Sequence, residues 1–317
     1  MRAWIVGKGG VLTLEEVERE RLGSHDVRVK VTAVGVNRAD LMQRNGKYPA
    51  PRGTRTDILG LEFAGEIIEL GTKVWKWSVG DRVMAIITGA SYAQEVVIDA
   101  RLLMSIPNGM DDVQAASIPE SFLTAFDALF MQLKCRRGER VLMHAIGSGL
   151  GDAVYQLCRI WGIELVGTTR SAWKLEAYPE LVQGIIVRKG DFLAQLEGKV
   201  DAVVDVVGGA YLEQNIRALH AHGRMLVLGL LGGVSASCSL GLILVKNIEI
   251  KGRTLRNRSF EEKLLLVKEC TKTLIPLFAK KALCGCVDKV FSFEDVEEAH
   301  QYLKDNKNRG KVILKWM

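Results

Sequence analysis

None of the six cysteines frames a short loop. Cys135, Cys158, Cys238, Cys270, Cys284 and Cys286 are scattered through periodic segments, which argues against a disulfide scaffold and for reduced thiols. The close pair Cys284-Gly285-Cys286 has neither zinc-ligand spacing nor a second Cys/His pair nearby, so it reads as packing. No run approaches the roughly 18 apolar residues that a membrane span needs. Met1–Gly10 shows no basic region, apolar run and cleavage site in succession; the expectation is a protein that stays where it is made, most simply the cytoplasm. A net charge of +6 is present without a basic block, so nucleic-acid binding is not expected. Arg253, Arg256 and Arg258 lack interleaved aromatics and read as a loop at a domain junction. There is no internal repeat, low-complexity tract or long linker.

What is there is ordinary for a soluble enzyme. The 317 residues, 48% hydrophobic and 25% charged, suggest about two domains. The first ~115 residues are short strand-like pieces at 27–36, 63–70, 81–87 and 92–98, separated by Gly, Pro and Asp turns, as in a small closed barrel. Strands then alternate with helices, and the strand interiors are nearly continuous in Val, Leu and Ile. That is the pattern of an α/β, doubly wound parallel sheet covered on both faces. Phe260–Ala279 is a long amphipathic stretch, and the β-like pieces after it fall outside the alternation. The economical division is a first domain over residues 1–116, a nucleotide-binding domain over 117–257, and a return over 258–317 that completes the first.

Gly147, Gly149 and Gly151 stand between an apolar strand and an amphipathic helix. Glycines there let backbone N–H groups at a helix N-terminus approach a pyrophosphate. The G-x-G-x-G spacing is incomplete, so a plain strand-to-helix turn stays open. At the end of the next strand the acidic residue that would bond the ribose of NAD is missing; Thr169, Arg170 and Ser171 stand there, with Lys174 beyond. A guanidinium fork, a hydroxyl and an ammonium suit the 2′-phosphate of NADPH, the alternative being a solvated basic helix start. Asp152, next to the last glycine, suits the helix dipole but not an anionic ligand.

The motif running from Val34 through Asn37, Asp40 and Tyr48 to Pro51 resembles the zinc-independent quinone oxidoreductases of the medium-chain dehydrogenase/reductase superfamily. So do "ILGLEFAGEI", "AASIPESFLTAF", "GGAYLEQNIRALHAHGRMLVLGLLGG" and "NKNRGKVIL". "NRAD" and "GLE" stand where the zinc-dependent alcohol dehydrogenases carry a metal-binding Cys and a Gly-His-Glu, and the four-cysteine lobe of a structural zinc is absent, so no metal site is expected. The resemblance implies a Rossmann sheet plus a GroES-like β-barrel catalytic domain, and hydride transfer from NADPH to a quinone or enone. It implies Asn37, Tyr48 and Thr124 as catalytic residues, with Tyr48 as a phenolic donor. It places Ser148, Gly149 and Leu150 at the pyrophosphate and Arg170, Ser171 and Lys174 at the adenosine phosphate. Gly208, Gly229, Leu230 and Lys311 would line the rest of the cofactor. Val187 stands where relatives carry a phosphate-binding Tyr. An enone or enoyl-thioester reductase, or a low-turnover NADPH-binding protein of crystallin-like or RNA-associated type, remains the alternative.

Other candidates carry less. His144, before the glycine turn, reads as buried packing; His220 and His222 read as surface; Ser121 has no nucleophile-elbow context. Leu240–Ile250 is strongly apolar and reads either as an edge strand pairing two copies in a homodimer or as a buried helix.

Overall fold

The computed structural model describes residues 1–48, 51 and 54–316. The chain forms two compact units, Met1–Leu123 with Leu255–Met317, and Thr124–Thr254. The first crossing falls within the helix Pro119–Phe126, a few residues beyond the point where the strand rhythm changes.

The first unit is organised on the 11-residue strand Asp26–Val36. At roughly 3.4 Å per residue it is long enough to serve two partners along one edge. Its first five residues pair with Glu95–Asp99 and its last four with Lys311–Lys315, while Glu62–Leu70 runs along the other side. Arg82–Ile86 and Met104–Ser105 extend the sheet at one end and Val287–Ser292 at the other. The chain's last strand thus completes the first domain, and Phe63, Ile67, Tyr92, Phe293 and Val312 share one buried core.

The second unit is a six-stranded, wholly parallel sheet. The order across it is Gln183–Ile186, Glu164–Thr169, Arg140–Met143, Val200–Asp205, Leu219–Val227, Glu249–Gly252. Counted along the chain this is 3-2-1-4-5-6, the doubly wound arrangement whose direction of winding reverses between strands 1 and 4. Val141, Leu142, Val203 and Val204 are wholly buried, as strands covered on both faces must be. Leu240–Lys246 is a helix, neither a strand nor buried: Leu240, Leu244 and Val245 are all more than 70% exposed. It leads into the edge strand Glu249–Gly252; about two turns of apolar residues behind a Ser239 cap form the helix, whose Leu242 and Ile243 pack on the core of the second unit.

Candidate functional site

In the second unit the glycine turn joins the first strand of the sheet to the helix Gly149–Trp161. Ser148 caps the helix, its side chain accepting the N–H of Gly151 at 3.0 Å. The amides of Gly149 and Leu150, in the first turn, have no intrahelical acceptor and face the place where a sheet of this order takes its ligand. Gly147 has a different use: a Cβ there would lie 2.5 Å from Lys174 Cδ, so the glycine makes room for the buried lysine chain. Arg170 is exposed just beyond Glu164–Thr169, and Ser171 donates its N–H to Thr169 Oγ1 at 3.2 Å. Gly208 has φ +77°, which a side chain resists. A Cβ there would meet Leu230 Cδ2 at 2.8 Å, so Gly208 and Leu230 are neighbours. These residues fit a dinucleotide: an open helix start, a nearby guanidinium and no acidic residue at the strand end.

The first unit holds a buried ionic cluster. Lys311 Nζ lies 2.5 Å from Glu62 Oε1 and 2.5 Å from Asn37 Oδ1, with Glu120 Oε2 at 3.8 Å. Asn37 Nδ2 donates to Glu62 Oε1 at 2.9 Å and to the Gly35 carbonyl at 3.2 Å, and Glu62 Oε2 accepts the N–H of Glu120 at 2.8 Å. Glu62 is wholly buried and Lys311 nearly so. Burial pulls the Lys311 pKa down, but the carboxylates of Glu62 and Glu120 outweigh it and raise the net value, so the side chain is an ammonium. Burial raises the Glu120 carboxyl, with Lys311 opposing.

A second chain leads away from this cluster. Asp40 Oδ2 accepts the N–H of Asn37 at 2.8 Å and the Tyr92 hydroxyl at 3.3 Å; Tyr92 is 3.1 Å from His300 Nε2; Arg44 Nη1 is 3.3 Å from His300 Nδ1 and forms a fork on Glu297. Burial moves Asp40 up to about 7 and His300 down to about 3. Because Arg44 does not release its proton, the chain ends in a fixed charge. It anchors the helix Arg38–Arg44 to the helix Val296–Lys304 rather than conducting protons.

Tyr48 is partly buried, and Arg256 holds it: the guanidinium lies 5.1 Å from the ring centroid and donates to the carbonyls of Tyr48 at 3.3 Å and Thr88 at 2.7 Å and to Gln43 Oε1 at 2.6 Å. Burial raises the Tyr48 phenol while Arg256 opposes it. Pro49 and Ala50, within the motif that carried the resemblance, lie outside the described residues.

Residues 23–108 match the alcohol dehydrogenase GroES-like domain family, and residues 183–314 match the zinc-binding dehydrogenase family. The synaptic vesicle membrane protein VAT-1 homolog-like of Mus musculus is 30% identical over 339 residues, covering 99% of this chain and 81% of that protein. The chain belongs to the medium-chain dehydrogenase/reductase superfamily. Its relatives include quinone oxidoreductase-like protein 2 of Bos taurus, 29% identical over 96% of this chain and 88% of that protein. Among solved structures, the apo JamJ enoyl reductase superposes with a TM-score of 0.90 at 27% identity, covering 100% of this chain and 99% of that one. A nicotinamide cofactor belongs to this oxidoreductase family.

The zinc in the second family's description does not fit these residues. Among the described residues no three His, Cys, Asp or Glu side chains converge as a metal site. At "NRAD" and "GLE" the carboxylate of Glu62 is already paired with an ammonium.

Sequence reasoning separated Asn37, taken as catalytic, from Lys311, taken as a cofactor residue; the structure ties them together. Thr124 is buried at the start of the second unit, Gly229 follows its fifth strand and approaches Val206 closely. Glu62, Glu120, Asp40 and Arg256 were missed. A charged residue opening an apolar strand, as Glu62 does in "GLEFAGEI", was the available signal.

Proposed function

We propose that the chain is an NADPH-dependent reductase of quinones or related conjugated acceptors. The observation that carries the reading is Arg170, exposed beside the half-buried Ser171 at the end of the second strand of a 3-2-1-4-5-6 sheet, where a carboxylate would select NAD. Bound NADPH supplies a hydride. An acceptor that takes it also needs a proton, and Tyr48, held by Arg256, is the donor in the first unit. Asn37 uses both amide hydrogens on Glu62 and Gly35, so its part is to hold Lys311. Ser148, Gly149, Leu150, Ser171, Lys174, Gly208, Gly229 and Leu230 serve the cofactor and Thr124 its nicotinamide end, whereas Lys311, engaged by Glu62 and Asn37, has a structural part in the first unit. The likeness to an enoyl reductase supports a second reading, reduction of enoyl thioesters with the same cofactor. A panel of quinones, enones and acyl thioesters assayed with NADPH separates the two.

NADPH is expected to bind at least about tenfold more tightly than NADH, since charge-assisted bonds to a phosphate contribute about 1.5–3 kcal/mol. Arg170→Ala is expected to remove most of that preference while leaving NADH binding unchanged. Fluorescence titration returning equal affinities for the two would refute the cofactor assignment.

We further propose a homodimer through the second unit. Leu240, Leu244 and Val245 of the exposed helix, with Ile250 on the edge strand, whose outer side has no neighbour among the described residues, present apolar surface beside open backbone groups. Light scattering should give twice the 35.0 kDa of one chain. Leu244→Glu with Ile250→Glu should return the mass of a monomer; a dimer that survives both places the interface elsewhere.

A further inference from the structure

Four buried side chains of the second unit are joined end to end beneath the carboxyl edge of its sheet. Thr168 Oγ1 lies 2.9 Å from His144 Nδ1, His144 Nε2 lies 2.8 Å from Asn215 Oδ1, and Asn215 Nδ2 lies 3.2 Å from Asp205 Oδ2. Asp205 Oδ1 accepts the backbone N–H groups of Val207 at 2.7 Å and Gly208 at 3.0 Å. None of the four side chains' residues exceeds 1% exposure.

The direction of every link follows from the last. An ionised Asp205 only accepts, so Asn215 must turn its NH2 towards it and its carbonyl towards His144. His144 must then carry its proton on Nε2, leaving Nδ1 to accept from the Thr168 hydroxyl. Burial drives the His144 pKa down to about 4, which keeps the ring neutral with a single donor. Burial also lifts Asp205 to about 6, while the Gly208, Val207 and Asn215 donors work against it. Phe192 and Tyr211 pack on the imidazole with ring centroids at 4.8 Å each. A neutral ring engaged at both nitrogens and packed between two aromatics has no capacity left for acid–base work.

Its place is informative. His144 directly follows Arg140–Met143 and Asp205 ends Val200–Asp205, the two strands between which the winding reverses and a dinucleotide's crevice opens. Thr168 belongs to the neighbouring strand Glu164–Thr169, whose end carries Arg170. The chain therefore ties the ends of three adjacent strands to a turn that holds Gly208 at positive φ.

We propose that Thr168, His144, Asn215 and Asp205 are positioning residues that set the Val207–Gly208 turn for the dinucleotide. This rests on the cofactor reading above. Backbone placement of this kind acts on cofactor affinity and not on the chemical step.

The test compares His144→Phe, which removes both links, with His144→Gln, which retains a donor towards Asn215, and Thr168→Val, which keeps the side-chain shape should the phenylalanine variant not fold. Amide hydrogen exchange of the free protein over residues 205–211 and NADPH titration are read for each. The expected result is about tenfold faster exchange at Val207 and Gly208 and about tenfold weaker NADPH binding in His144→Phe, with kcat at saturating NADPH within twofold of the parent. His144→Gln should recover most of both, and Thr168→Val should show a two- to threefold effect of the same sign. Unchanged exchange in His144→Phe and Thr168→Val overturns the positioning role whatever the cofactor. Altered exchange in the variants of a parent protein that itself binds neither NADPH nor NADH overturns the cofactor reading instead.

Discussion

Lys311→Met is expected to destabilise the first unit by about 3–5 kcal/mol, because it leaves the wholly buried Glu62 carboxylate without its counter-ion. The loss reaches further than one ion pair. Lys311 also holds Asn37, whose amide in turn binds Glu62, and lies near Glu120, so the segments carrying Asn37, Glu62 and Glu120 lose a common partner. For a unit of this size each kcal/mol corresponds to about 2–4 °C in midpoint, and thermal unfolding should show a fall of roughly 6–20 °C. Lys311→Met combined with Glu62→Leu should recover part of it, since removing both charges is far less harmful than stranding one. A single-variant loss below about 1 kcal/mol would mean that water reaches the cluster and screens the pair.

Asp40→Asn is expected to act in the opposite direction and to depend on pH. Burial raises Asp40 from 3.8 to about 7, so the folded protein binds this proton more tightly than the unfolded chain does. Its contribution to stability is therefore fully present below about pH 4 and is lost as pH rises towards 7, where the group must ionise in the interior. The shift corresponds to a cost on the order of 4 kcal/mol above pH 7. An asparagine keeps an oxygen to accept from Asn37 and Tyr92 without that cost. Asp40→Asn should then match the parent near pH 4 in denaturant unfolding and exceed it by about 2–4 kcal/mol at pH 8. Equal stability at both ends of the range would show that Asp40 is ionised against a partner outside this cluster. Asp205, raised to about 6 for the same reason, leaves its own slope in both proteins and cancels in the difference.

The architecture was legible in the sequence because it is written in local patterns. Alternating strand and helix periods marked the parallel sheet, the long helix Phe260–Ala279 was read with its observed ends, and the glycine turn was found where strand period gives way to helix period. Leu240–Ile250 was less legible. A short apolar run satisfies strand and buried helix equally well, and only the tertiary packing decided for a helix that seats Leu242 and Ile243 on the core and leaves Leu240, Leu244 and Val245 exposed. His144 illustrates the same limit from the other side. Its burial was anticipated, but its two partners lie 24 and 71 residues away.

By itself the sequence determined the alternation of strands and helices in the second unit, the glycine turn and the basic residues at the end of the second strand. Each depends on side-chain type and spacing within some 20 residues. The tertiary structure alone decided that Lys311, Glu62 and Glu120 come together with Asn37 hydrogen-bonded between them, that Arg256 supports Tyr48, and that Gly147 serves Lys174. These groupings join segments up to 274 residues apart. A buried charge leaves no periodic trace in the chain; its partner is set by which strand ends meet, and that is fixed only when the sheet closes around them.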